Sequence, residues 1–344
     1  MMKKLLNTLF VVSPDTYLAL ENENVVIYQG DEVLRRIPLL TLENILYFGY
    51  KGASPALMGA CAKRNIGLCF LRPGGRFLAR VCGESYGNVL LRKEQYRISD
   101  NPQAACTFAR NFIAGKIYNA RSVIRRALRD HPLSVDTNAL ENVSTELMQS
   151  VRLARVCTNL DELLGIEGNA AKLYFSVFNN LILNNKTIFY FIGRIKRPPG
   201  DAVNAMLSFV YVLLAHDCAS ALESTGLDAY VGFLHADRPG RQSLALDLME
   251  ELRAVYADRF VLFLINNRMI KENCFDYHEN GSVYLNDDGR KIVLAEWQKR
   301  KQDSIIHPFL SEKVQWGLVP YVQALLLARC IRGDLDEYPA FLWK

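Results

Sequence analysis

Apolar residues are laid out in two different ways along this chain. Up to about residue 85 they fall in short runs rich in Val, Ile, Leu and Tyr, at 8–12, 17–21, 24–28 and 33–38. Ser-Pro-Asp, Glu-Asn-Glu-Asn and Gly-Asp turn signals separate these runs, which read as strands. Residues 42–48 and 67–71 read as further strands with a helix at 55–64 between them. Arg72-Pro73-Gly74-Gly75-Arg76 then makes a tight turn into a strand over 77–81. Closely spaced short strands with polar turns predict a small sheet or sandwich.

From about Gln95 the spacing becomes helical. Ser99-Asp100-Asn101-Pro102 is a helix-start signal; 104–130 follows as a first helix, and 138–163 as a second helical region broken at Gly165. Asp201 stands as N-cap of an apolar helix. Leu244, Leu248, Leu252 and Val255 recur at helical spacing, 261–268 is a buried helix or strand, and 276–297 reads as a β-hairpin with Asn-Gly and Asp-Gly turns before another helix. Residues 314–344 read as helical through Arg332-Gly333 and extended after it. The expected class is α+β: a small N-terminal β-sandwich-like domain (1–85), a linker (86–102), and a larger, mainly α-helical domain (103–344).

Composition narrows the possibilities. Half of the 344 residues are hydrophobic and 22% are charged, an ordinary balance for a globular protein, and the net charge of +5 is mild enough to hide a basic face. Eight cysteines are scattered without a C-x-x-C pair, which argues against zinc ribbons and a disulfide framework and fits a reducing cytosol. Met1-Met2-Lys3-Lys4-Leu5-Leu6 looks faintly like a signal peptide, but Asn7 and Thr8 interrupt it and no small-residue cleavage site follows. No stretch reads as the ~18 apolar residues that span a membrane, so a cytoplasmic location is expected. G-x-S-x-G, Walker A and G-x-G-x-x-G signatures are absent, which removes the usual support for esterase, P-loop ATPase and dehydrogenase chemistry.

The candidate chemistry lies in the helical part. In 232-GFLHADRPGRQSLALDLMEEL-252 an apolar run delivers His235, Arg238-Pro239-Gly240 turns the chain, and Asp247 and Glu250 follow three apart on one helix. One imidazole and two carboxylates can hold a divalent cation, although a histidine before a turn and acids on a solvated helix face are also common. Glu167, between Gly165 and Gly168, reads as the start of a helix, where a carboxylate also serves as a cap. Basic residues stand around these acids. Lys116, Arg121, Arg125, Arg126 and Arg129 form a stripe with no acid before Asp130, and Arg194, Lys196 and Arg197 form a proline-stiffened loop. Either a solvated face or a phosphate contact accounts for them. A hard ion held by carboxylates and a histidine suits Mn²⁺ or Mg²⁺ better than Zn²⁺. The residues alone reach a metal-dependent nuclease or a nucleic-acid binder.

Three motifs in order go further: G-I-E-G-x-A-A-x-x-Y-F, R-x-K-R-P-P-x-D-x-V-N-A-x-L-S-F-x-Y, and G-F-L-H-x-x-R-P-G-R-x-S-L-A-L-D-L-M-E-E. With the β-rich front and the ending G-D-L-D-E-Y-P-A-F-L-W-K, the chain resembles the CRISPR-associated adaptation endonuclease, the spacer integrase, in its type I-C variant. That resemblance implies Glu167, His235 and Glu250 as catalytic ligands of Mg²⁺ or Mn²⁺, with Asp247 as a second ligand or the residue behind one. Many relatives carry aspartate where Glu250 stands. The resemblance also implies DNA contacts by Lys116, Arg121, Arg125, Lys172, Tyr174, Arg194, Arg197, Asn204, Ser208 and Arg241, with packing as a further role for the motif residues. The implied partners are double-stranded DNA (prespacer and CRISPR repeat), a second copy joined through the β-domain, and a small ferredoxin-like protein. The implied reaction joins 3′-hydroxyl ends of short duplexes into the repeat. A repair nuclease using water, or a non-catalytic DNA-binding assembly subunit, are the alternatives.

Overall fold

The computed structural model describes residues 8–343 except 12, 14, 43, 65, 73–76, 82, 84–88, 196 and 197. The signal-like start, residues 73–76 of the expected tight turn, Lys196 and Arg197 therefore lie outside the described residues. The chain divides into two compact units. One comprises the described residues before residue 87 together with Leu285–Gln302; the other runs from there to Tyr284 and resumes at Asp303.

In the first unit, β1 (Thr8–Val11), β5 (Asn44–Phe48), β6 (Gly67–Leu71) and β7 (Phe77–Val81) form one sheet in the order β1-β5-β6-β7. A second sheet is the antiparallel meander of β2 (Thr16–Glu21), β3 (Asn24–Gln29) and β4 (Glu32–Pro38). The β2–β3 hairpin turns through Asn22 and Glu23, both at positive φ (46° and 62°), the primed geometry whose twist matches the strands. Leu18, Val25, Leu39, Ile45, Leu57 and Leu68 make one core shared by both sheets and α1 (Pro55–Lys63). The larger sheet is mixed: β1, β5 and β6 run parallel, and α1 supplies the crossover that parallel neighbours require. Helix α9 (Asp287–Gln302) belongs to this unit, so the expected single helical domain from 103 to 344 is interrupted there. The Asp288-Gly289 pair, expected as a turn, lies in the first turn of α9.

The second unit is mainly helical: α2 (Val89–Asp100), α3 (Pro102–Asp130), α4 (Thr137–Val156), α5 (Leu160–Ser176), α6 (Ala202–Ser224), α7 (Ser243–Glu250), a π-helical segment (Arg253–Asp258), α8 (Arg259–Asn266) and α10 (Val319–Ile331). Helix α3 is the axis, packing against α2, α4, α5, α7 and the π segment. The caps follow the sequence signals. Asn101 Oδ1 accepts from the amides of Gln103 (3.0 Å) and Ala104 (3.1 Å), and Asp201 Oδ1 from that of Asn204 (2.7 Å).

Three expectations are corrected here. The segment 86–102 is not a linker, because α2 fills most of it. Helix α5 is not broken at Gly165: it starts at the Asn159 cap, whose Oδ1 accepts from Asp161 (2.8 Å) and Glu162 (3.0 Å), and runs through both glycines. Glu167 is thus mid-helix, not at a helix start. Helix α6 does reach membrane-spanning length and hydropathy over Ala202–Glu223, but 83% of that window is buried inside the protein, which makes it a core helix.

A Cβ added at Gly165 meets nothing within 4 Å, so the glycine costs helix stability without a packing reason. Gly165→Ala is expected to stabilise the protein by about 0.5–1 kcal/mol in urea unfolding; a loss of stability would mean the glycine serves a close approach.

Candidate active site

The site is built around α7 and the loop before it. Helix α2 holds that loop: Gln95 Nε2 donates to the carbonyls of Asp228 and Val231 (both 2.8 Å), and its Oε1 accepts from the Asp228 amide (2.9 Å). Ser99 Oγ donates to the Gly232 carbonyl (2.7 Å). The loop then wraps Asp247, which is fully buried. The amides of Phe233 (2.6 Å) and Leu234 (2.9 Å) donate to Oδ2, the amide of His235 (3.1 Å) to Oδ1, and His235 Nδ1 lies 2.6 Å from Oδ1. Only glycine fits at 232, where a Cβ would come within 2.9 Å of Asp247 Oδ2 and 2.8 Å of the Ser243 Cβ. Gly240, at φ +74°, supplies the left-handed step that returns the chain to α7. With both oxygens engaged, Asp247 stands behind His235, fixes the ring, and leaves Nε2 facing away with no hydrogen bond among the described residues.

The other carboxylates meet on a cation. Lys116 Nζ, from α3, pairs with Glu167 Oε1 and lies 2.7 Å from Glu250 Oε2. Arg253, one turn beyond Glu250, binds both its oxygens at 2.9 and 3.1 Å. Burial by itself would push the Glu250 carboxyl up; Arg253 and Lys116, with a contribution from nearby His235, overcome it and hold it at about 2. The Arg253 guanidinium also stacks on the Tyr211 ring at 4.3 Å, and Tyr211 donates to Asp258 Oδ1 at 2.5 Å. Burial pushes Asp258 up to about 6. Arg253 and Asp258 were missed in the sequence. The i,i+3 spacing of Glu250 and Arg253 is the signal that could have found the first.

A cavity of about 470 Å³ opens beside this cluster, lined by Lys116, Glu167, Gly168, Lys172, Tyr174, Arg194, Tyr211, Arg253 and Asp258. The expected DNA contacts separate accordingly. Lys172 and Arg125 are exposed, whereas Lys116 is mostly buried against the two carboxylates. Arg121 is half-buried, with Nε donating to the Ser144 carbonyl (3.0 Å). Tyr174 and Asn204 are buried. Asn204 Oδ1 and Ser208 Oγ accept from Arg194 (2.6 and 3.0 Å), so they hold the arginine. Arg241 is half-buried and bonds the Ala236 carbonyl.

As a donor set, Glu167, Glu250 and the free Nε2 of His235 match a hard divalent cation, with Asp247 in the supporting position. Among the described residues no three acidic, imidazole or thiol groups are yet gathered as ligands; Lys116 stands where the two carboxylates converge.

The family model described as "CRISPR associated protein Cas1" matches residues 9–299. The chain belongs to the Cas1 family. It is 49% identical over 343 residues to the CRISPR-associated endonuclease Cas1 1 of Chlorobaculum tepidum (strain ATCC 49652 / DSM 12025 / NBRC 103806 / TLS), covering 100% of both chains. Among solved structures it is similar to a casposase bound to integration product, with a TM-score of 0.83 and 22% identity over 98% of this chain and 95% of that one. It also matches part of a Cas6-RT-Cas1–Cas2 complex, with a TM-score of 0.81 and 22% identity over 100% of this chain and 37% of that one. These structural likenesses place the β-sheet region and mainly helical domain in the Cas1 fold.

Replacing Asp247 in this Cas1 chain by asparagine would set an amide nitrogen against backbone donors and leave buried amides unpaired. Asp247→Asn is expected to cost about 2–3 kcal/mol of stability in denaturant unfolding. An unchanged midpoint would show that these hydrogen bonds do not hold the loop.

Proposed function

We propose that this Cas1 chain is a divalent-metal-dependent DNA endonuclease and integrase of CRISPR adaptation. It would join the 3′-hydroxyl ends of short duplexes into the CRISPR repeat by phosphoryl transfer. The observation that carries the reading is the convergence of Glu167 and Glu250 on Lys116, where Glu167 lines a cavity that Lys116, Lys172, Arg194 and Arg253 also line, together with an imidazole oriented by Asp247. Glu167, Glu250 and His235 Nε2 would hold Mg²⁺ or Mn²⁺. The bound ion would supply Lewis-acid polarisation of a phosphodiester and a lowered pKa for the attacking hydroxyl or water.

The chain's own residues then act on the substrate. Arg194, held by Asn204 and Ser208 and facing Tyr211 at 5.3 Å, offers a preorganised guanidinium to a phosphate in the cavity. Exposed Lys172 and Arg125 add backbone contacts without reading sequence. Asp247, against His235 Nδ1, orients the ring so that Nε2 would be the ligating atom. The relative from Chlorobaculum tepidum is named an endonuclease, and the casposase neighbour is bound to integration product. Both support the assignment. The Cas1–Cas2 neighbour supports a Cas2 partner. Integration at two repeat ends calls for two active sites, hence a homodimer. The motif resemblance supports type I-C, and a cytoplasmic location follows from the DNA substrate.

Strand joining tests the reading, with a labelled duplex bearing free 3′ ends, a repeat-carrying supercoiled plasmid, Cas2 and Mn²⁺ or Mg²⁺. Wild type should join label to plasmid, and Glu167→Ala and His235→Ala should each lower joining by at least about a hundredfold. EDTA should abolish it. Cutting without joining would favour a nuclease using water, and joining that survives both substitutions would place the chemistry elsewhere.

A further inference from the structure

Lys116 is in an unusual position for a nucleic-acid contact. Its side chain is only 16% exposed, and its ammonium is shared by two carboxylates from different elements, Glu167 on α5 and Glu250 on α7. Glu250 does not need it for neutrality, since Arg253 already binds both its oxygens. Glu167 has no other cation partner among the described residues. The ammonium therefore keeps two acidic side chains facing one another that would otherwise repel.

Charge sets the consequence. Glu167 and Glu250 carry two negative charges, and Lys116 and Arg253 balance them, so the cluster is neutral without any added ion. A divalent cation accepted by the same two carboxylates would face an ammonium already bound to them. At short range in a poorly solvated site, that repulsion outweighs ordinary surface electrostatics. Lys116 has somewhere to go, because it also lines the cavity where Arg194, Lys172 and Gly168 stand.

Building on the proposed metal site, we propose that Lys116 is a resident counter-cation: it occupies the convergence of Glu167 and Glu250 until a divalent cation displaces its ammonium into the cavity. Lys116 is then a positioning residue that preserves the carboxylate pair in the ion-free protein and weakens divalent binding in exchange. Once displaced, the ammonium faces the same cavity as Arg194. A phosphate there and an ion at the carboxylates favour each other, and the coupling is reciprocal.

The test is Mn²⁺ affinity, measured calorimetrically on the full chain without DNA, for wild type, Lys116→Met, Lys116→Gln and Glu167→Ala. Circular dichroism would confirm folding of each. Removing a competing cation should tighten Mn²⁺ binding at least tenfold in Lys116→Met, and Lys116→Gln carries the same expectation if the methionine variant does not fold. A lysine that merely supports the fold would show the opposite sign, since disordering the carboxylates loosens binding. If wild type binds Mn²⁺, Glu167→Ala abolishes binding, and the Lys116 variants bind no tighter than wild type, the counter-cation role is overturned while the metal site stands. If wild type binds no Mn²⁺, or Glu167→Ala binds as well as wild type, the metal site falls and this role with it.

Discussion

The buried carboxylate of Asp247 is the constraint on which the rest of the site depends. A fully buried carboxylate is tolerated only when its oxygens are satisfied, and here three successive amides and an imidazole do so. That requirement fixes the backbone from Phe233 to His235, forces glycine at 232, and sets the direction of the histidine ring. Through Gln95 and Ser99 it also makes α2 part of the site's support. One carboxylate thus converts a loop into a rigid platform.

The second buried cluster obeys a different rule. Glu167, Glu250, Lys116 and Arg253 satisfy one another as ion pairs, an arrangement that adds little net stability but is costly to leave incomplete. Removing one partner strands a charge in a site where Glu250 is 4% exposed. Such a cluster specifies geometry more than it stabilises the fold. It is also responsive: a change in one charge alters the partners available to the other three. The Asp247 platform lacks that property, because three of its donors are backbone amides that cannot move away. The site therefore pairs a half held by backbone donors, carrying His235, with a half held by ion pairs, carrying Glu167 and Glu250.

This contrast explains what was legible in the sequence. The strands of the N-terminal unit, the Asn-Glu hairpin turn and the caps at Asn101 and Asp201 are local, and the local signals placed them; the short strands Ser304–Ile306 and Lys313–Gln315 were not read, and the second lies where a helix was expected to begin. Helix α5 was misread because glycines at 165 and 168 look like breakers, yet the Asn159 cap and flanking helical contacts carry the helix through them. The segment 86–102 was misread as a linker because its role lies in hydrogen bonds to residues more than a hundred positions away. Glu167, His235, Asp247 and Glu250 were marked by motif, and the structure gathers Glu167 with Glu250 on Lys116 and sets Asp247 against His235. That Lys116 would be drawn from an apparent basic stripe into the carboxylates could not be read, since the stripe is a pattern along α3 and the ion pairs depend on which elements pack against it. Asn204, Ser208 and Arg194 were each marked as DNA contacts by the motif resemblance, but that the first two hold the third depends on how the loop packs on α6, which the motif does not show.

Glu250 and Glu251 are neighbours in sequence with opposite assignments. Glu250 turns into the site, whereas Glu251 accepts from Gln323 Nε2 (2.9 Å), the Phe341 amide (2.7 Å) and the Tyr338 hydroxyl. Asn119 on α3 closes the same clamp, donating to the carbonyls of Glu251 and Phe341 (both 2.6 Å). Burial pushes Glu251 up to about 7 against these donors, so its tail contacts are needed to keep it inside. The C-terminal stretch is consequently coupled to Glu250 through one peptide bond and through α3, which carries Asn119 one turn from Lys116. A displacement of either acid must be absorbed where α7 ends and the π-helical segment begins. There the hydrogen bonds change from the α to the wider π spacing, a local irregularity of the kind frequent at functional sites.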